Sequence, residues 1–284
     1  MFGQAWQTDE PTMTETNETW ADLPRNMRAG SLAGYRAGHG PSLLLIHGVG
    51  LRLEAWRAMI PPLAQKFTVV AMDMPGHGQS SWTGADTVET FADDFSPLMS
   101  ELDGPVFVAG HSMGAMLAIE LASRHPQVLA IAALNAVYRR SANASRAVLE
   151  RAQTLAEGGQ SDPTPTLHRW FGNAPVGPNA SASAACRRWL TDSNRAGYAA
   201  AYMAFATHDG PSDDTLSGLT CPALFLTGAD EPNSTPAMSL AMASRVKRGH
   251  ARIVDDAAHM APMTHGVEIA DDLTSFFLGR IGDS

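Results

Sequence analysis

Three groups that could together perform acyl transfer lie at separate points of this 284-residue chain: a serine in a glycine turn, two adjacent carboxylates and a late histidine. Ser112 sits in Gly110-His111-Ser112-Met113-Gly114, directly after the apolar run Val106 to Ala109 and at the head of an Ala-, Leu- and Met-rich stretch. A strand running through G-x-S-x-G into a helix makes a sharp turn that lifts the serine hydroxyl clear of a sheet. A serine hydroxyl is a weak nucleophile and needs a base within hydrogen-bond reach. His259, in Asp256-Ala-Ala-His-Met-Ala-Pro262, follows the last apolar run and is the candidate base. Of the other nine histidines, His47, His77 and His111 fall in glycine turns, His125 caps a helix, and the rest belong to a polar insertion or the surface.

An imidazole base needs an acid to hold its tautomer and orientation. The run Ala223 to Leu226 leads into Thr227-Gly-Ala-Asp-Glu-Pro-Asn233, which offers Asp230 and Glu231 side by side. Serine, acid, histidine is the chain order expected for a fold with this strand–turn–helix nucleophile, with one carboxylate catalytic and the other solvated or capping a turn. The negative oxygen formed on attack also needs donors. His47-Gly48-Val49-Gly50 follows the run Leu43 to Ile46, so the backbone N–H groups of Val49 and Met113 are the expected pair. Losing one such donor typically costs about 2.7–4 kcal/mol of transition-state stabilisation.

These residues have to be carried by a sheet. Leu43 to Ile46, Thr68 to Met72, Val106 to Ala109, Val128 to Leu134, Ala223 to Leu226 and Arg252 to Val254 read as strands. Several are almost wholly apolar, as strands buried on both faces must be. Candidate helices lie between them at Glu54 to Gln65, Val88 to Leu102, Met113 to Arg124 and Val267 to Leu278, an alternation that predicts a mostly parallel α/β sheet. Ser31 to Ala37 alternates weakly, as an antiparallel edge strand would. Residues 1–30 are polar and acidic and read as a mobile tail. The core is expected over 31–137 and 221–284, with 138–220 an inserted helical cap. Its helices are placed at Ala142 to Ala156, Ala180 to Thr191 and Gly197 to Thr207, and the Pro-rich stretches at 162–165 and 173–178 read as turns. A cap over the carboxyl ends of the strands covers the place where open α/β sheets hold ligands. Its Arg169, Trp170 and His208 are the candidate substrate contacts.

Composition narrows the classes. A net charge of −9 argues against a nucleic-acid binder, and 44% hydrophobic residues suffice for a large core. The two cysteines, Cys186 and Cys221, have no metal-ligand spacing, so neither a disulfide framework nor a metal site is expected. No apolar run is long enough to span a membrane and no secretory leader is legible, which makes a cytoplasmic protein the expectation.

The chain resembles the α/β-hydrolase superfamily, in particular its small esterases, 3-oxoadipate enol-lactonases and C–C-bond hydrolases. The landmarks are His47-Gly-Val-Gly50, Asp73-Met-Pro-Gly-His-Gly-Gln-Ser80, Gly110-His-Ser-Met-Gly114, Gly228-Ala-Asp-Glu-Pro232 and Ala258-His-Met-Ala-Pro262, and the similarity runs from about Gly34 to Ile281. It implies an eight-stranded-type sheet with flanking helices, a structural part for Asp73 to Ser80, and a serine hydrolase of a small ester or (enol-)lactone. No cofactor is implied, and a homodimer is an assembly the fold accommodates. Relatives commonly carry aspartate where this chain has Glu231. Register therefore favours Glu231 as the acid, and residue type favours Asp230. Two other readings follow from the same resemblance: a C–C hydrolase of a vinylogous diketone, and a receptor that keeps the triad but binds without turnover.

Overall fold

Alternation within the apolar runs sorts their side chains to two faces of one sheet. A computed structural model of the chain describes residues 20–102, 104–158 and 162–280. The strands are β1 (Met27–Ala29), β2 (Leu32–Ala37), β3 (Ser42–Ile46), β4 (Thr68–Met72), β5 (Val106–His111), β6 (Val128–Leu134), β7 (Ala223–Gly228) and β8 (Gly249–Val254). They form one eight-stranded sheet in the order β1-β2-β4-β3-β5-β6-β7-β8. β1 and β2 run antiparallel, and every pair from β4 to β8 is parallel. Leu44, Ile46, Val70, Met72, Val106 and Val108 face one core cluster. Leu43, Leu45, Val69, Ala71, Phe107 and Ala109 face the other. This period of two within unbroken apolar sequence is what a sheet covered by helices on both sides demands.

The helices are α1 (Ile60–Leu63), α2 (Val88–Asp93), α3 (Ser96–Glu101), α4 (Met113–Arg124), α5 (Ala142–Ala156), α6 (Thr164–Phe171), α7 (Pro178–Thr191), α8 (Arg195–Thr207), α9 (Asp213–Gly218), α10 (Pro236–Arg245), α11 (Ala261–Thr264) and α12 (Gly266–Leu278). The single helix expected over 88–102 is two, because Pro97 lacks an N–H and restarts the chain at the first turn of α3. The helix expected at 54–65 is a 3-10 turn (Leu53–Trp56) followed by α1, where Pro61 occupies the first turn. Five elements escaped the sequence reading: β1, α6, α9, α10 and α11. α10 opens on a Thr235 cap and Pro236, and α6 begins within the stretch read as a turn, since prolines 163 and 165 sit where a first turn tolerates them.

α5 to α9 lie between β6 and β7, where the cap was expected. An apolar cluster seats them: Leu167, Phe171 and Trp189 of the insertion pack with Leu51, Ala55, Met260 and Met263 of the core loops. Among the described residues, no helix is long and apolar enough to cross a membrane.

The N-terminal boundary differs from expectation. Residues 1–19 lie outside the described residues, but 20–30 are folded, so the segment read as a tail through residue 30 is structured over its last third. β1 takes the sheet edge that had been assigned to β2. Trp20 is buried, donates from Nε1 to Ser181 Oγ of α7 at 3.2 Å and meets Trp189 edge-on. Arg25 is buried between Glu54 and Asp73. It donates to Glu54 Oε2 at 3.0 Å and to Asp73 Oδ2 at 2.9 Å, while Asp73 also accepts from the Leu53 and Gln79 N–H groups. Two carboxylates can stay buried there because one forked guanidinium and several backbone donors satisfy them. Arg25→Ala leaves both uncompensated, and urea denaturation is expected to show a loss of about 3–5 kcal/mol.

Candidate active site

The turn after β5 is set by close backbone packing. Ser112 has φ 57° and ψ −117°, a region L-residues rarely adopt. A Cβ on Gly110 would stand 1.9 Å from the Gly114 carbonyl oxygen, and one on Gly114 would stand 2.1 Å from that of Ile46. Only glycine permits β5, β3 and α4 to approach this closely, and that approach forces the serine upward. The Ser112 N–H donates to Leu134 O at 2.8 Å, which ties the turn to β6.

His259 and Ser112 line one cavity of about 480 Å³ beneath α5, α6 and α8. His259 Nδ1 donates to Glu231 Oε2 at 2.9 Å. Glu231 is buried, and its other oxygen accepts from the Asn233 and Ser234 N–H groups at 2.7 and 3.2 Å. Asn135 Nδ2 approaches Oε2 at 3.4 Å and Thr227 Oγ1 at 3.2 Å. Burial alone would raise the Glu231 carboxyl. The His259 ring and the two backbone donors outweigh it and bring the group down to about 2. Asp230 is solvent-exposed, and its N–H serves the turn by donating to Ala257 O at 2.9 Å. Of the two carboxylates the sequence offered, Glu231 meets the imidazole.

The glycine loop 47–50 is held by neutral histidines. His47 Nε2 accepts the Met74 N–H at 3.0 Å, and His77 Nε2 accepts the Gly50 N–H at 3.0 Å. Burial depresses both rings, His77 to about 4, so each remains an acceptor at neutral pH. The Gly50 N–H is taken by His77 and the Leu51 N–H by the Gly48 carbonyl, and Val49 stands at the cavity wall. Met113 begins α4, where the first N–H groups have no intrahelical partner. His111, read from sequence only as a neighbour of the serine, is buried and donates from Nε2 to the His259 carbonyl oxygen at 2.7 Å. Burial and the nearby His259 lower it to about 3, so it stays uncharged.

Of the expected substrate contacts, Arg169 and Trp170 line the cavity. His208 is not among the residues that line it. Tyr198, Tyr202 and Phe205 mark the inner face of α8 at helical spacing, and His208 lies past its end, where its carbonyl accepts from Arg140. Arg140 and Arg151 are cavity residues that sequence reading missed. The signal was the spacing of Ala144, Ala147, Val148 and Arg151 along one face of α5. Arg140 is committed to Asp209, to the Phe205 carbonyl and to the Phe205 ring 4.3 Å away.

A strained serine turn above a parallel sheet, a buried acid–imidazole pair and a helical insertion over both define a class of hydrolase architecture. The family model described as alpha/beta hydrolase fold matches residues 41–266, and the chain belongs to that family. A curated relative, the (E)-2-((N-methylformamido)methylene)succinate hydrolase of Acinetobacter baylyi, is 40% identical over 233 residues, 81% of this chain and 88% of its own. A Thermogutta terrifontis esterase solved with malate bound is 25% identical with a TM-score of 0.77, covering 87% of this chain and 93% of that one. The enol-lactonase of Burkholderia xenovorans LB400 shares the fold at a TM-score of 0.78 and 24% identity, covering 87% and 96%. The protein is an α/β hydrolase.

The depressed Glu231 carboxyl makes a pH prediction. Its folded value lies below the unfolded one, so the stabilisation is full above about pH 4.5 and is lost as pH falls towards 2. Across that window, unfolding titrations should show the wild type losing on the order of 3 kcal/mol more than Glu231→Gln.

Proposed function

We propose that this chain is a serine hydrolase that cleaves an acyl bond in a small substrate bearing carboxylates, by way of an acyl-enzyme on Ser112. The observation that carries the reading is the cavity wall. Arg140, Arg151 and Arg169 line the space holding Ser112 and His259, and the described lining residues include no Asp or Glu. In a chain of net charge −9, this concentrates positive potential where a substrate would lie. The compound named for the Acinetobacter relative carries an N-formyl amide on a succinate skeleton, hence an acyl carbonyl and two carboxylates. We take that N-acyl, dicarboxylate chemistry as the substrate class. An ester or enol-lactone would pass through the same steps.

In the proposed reaction Ser112 Oγ attacks the acyl carbon while His259 Nε2 takes its proton. Glu231 holds Nδ1–H and balances the imidazolium. The Val49 and Met113 N–H groups receive the oxyanion, supported by the positive end of α4. The tetrahedral adduct collapses, the C–N bond breaks, and His259 returns its proton to the leaving nitrogen. A water activated by the same imidazole then releases the acyl group as a carboxylic acid and restores Ser112. Arg169 donates to Thr166 Oγ1 at 3.2 Å and retains further N–H donors suited to a planar carboxylate.

The test compares an N-formyl enamide of succinate with the neutral p-nitrophenyl acetate. Ser112→Ala should abolish turnover of both, Glu231→Gln should lower kcat by about 10⁴-fold, and Asp230→Asn should leave it within about twofold. Arg169→Gln should raise KM about tenfold or more for the dicarboxylate and leave the neutral ester unchanged. Equal kcat/KM on charged and neutral substrates would sink the carboxylate assignment. Tight dicarboxylate binding without any Ser112-dependent turnover would make the chain a receptor.

A further inference from the structure

We propose that Trp170 is a positioning residue for the base: its indole face lies over the His259 ring and stabilises the imidazolium formed when Ser112 gives up its proton. The rings are near-parallel, with an interplanar angle of 21° and centroids 5.6 Å apart. The proposal rests on His259 being the base, and it goes beyond a wall contact with substrate.

The imidazole is enclosed by few groups. Glu231 meets its Nδ1 edge, and His111 lies against the ring at 4.9 Å with a tilt of 52°. His111 is neutral and bonded to the His259 carbonyl, so it cannot compensate a new positive charge. The other charged groups at the cavity are arginines: Arg169, next to Trp170 on α6, with Arg140 and Arg151. Each makes a second cation in the cavity less favourable. A carboxylate at one edge and an aromatic face are therefore what offset them. An indole attracts a cation through its quadrupole and a neutral ring far less. The contact thus strengthens as the proton moves to His259, and only interactions that strengthen towards the transition state accelerate the reaction. Trp170 lies in the last turn of α6, beside Arg169, so α6 joins substrate enclosure to the proton chemistry.

The experiment uses wild type, Trp170→Phe and Trp170→Leu with p-nitrophenyl acetate, whose neutrality keeps the arginines out of the comparison. It pairs pH–rate profiles with an NMR titration of the His259 ring, assigned by loss of its signal in His259→Gln. Trp170→Leu should lower kcat about 3- to 30-fold with KM little changed. It should also move both the acid limb of the profile and the ring titration to lower pH, with Trp170→Phe in between. A loss confined to KM, or identical ring titrations in all three proteins, would overturn the proposal. If Ser112→Ala proves as active as wild type, the base reading fails by itself. The ring titration still decides whether the indole stabilises the cation, because it needs no turnover.

Discussion

The molecule is organised around one backbone contact, the approach of β5 to α4 across Gly110 and Gly114. At that distance no side chain fits, and the residue between must take the strained conformation seen at Ser112. Strain of this kind costs on the order of 1–3 kcal/mol and persists only where surrounding structure over-determines it. Here the surroundings are β3, β6 and the two core clusters that fix their spacing. Placing the serine therefore depends on packing spread over the whole sheet.

Charge is arranged on the same economy. The glycine loop that faces the serine is laced by His47 and His77, both held neutral by burial, so hydrogen bonds fix it without introducing a field. His111 does the same beneath His259. Against this neutral background the ionised Glu231 is the anion in contact with the imidazole, and the arginines of the cap supply the positive wall. The His259 imidazole stands between the two signs, and in the proposed reaction this arrangement lets one small cavity hold an anionic ligand and still tolerate a transient cation on the base.

Much of this was legible in the sequence because it is local. Apolar runs of four to seven residues give buried strands, Gly-x-Ser-x-Gly between a strand and a helix gives the elbow, and register within Gly228-Ala-Asp-Glu-Pro232 favours Glu231, although residue type left Asp230 open until the contact with His259 was seen. What stayed hidden is non-local or depends on rotation about a helix. Arg25 finds Glu54 and Asp73 across 29 and 48 positions, and no periodicity announces such a pairing. His208 was chosen for its residue type, whereas the face of α8 that reaches the cavity stops at Phe205. Prolines misled in both directions, breaking the helix expected over 88–102 and opening α6 where a turn was expected.

The segment from Trp20 to Arg25 joins the insertion to the core, with the indole at one end fastened to α7 and the guanidinium at the other buried between Glu54 of the 3-10 turn and Asp73 at the end of β4. Its six residues make five Cα–Cα links, which reach at most about 18 Å when fully drawn out. The segment is thus a short leash between the helical insertion and the core. Lifting α7 away from the core would therefore have to draw Trp20 off Ser181 and Trp189, so the chain's first folded residues are tied to the seating of the insertion.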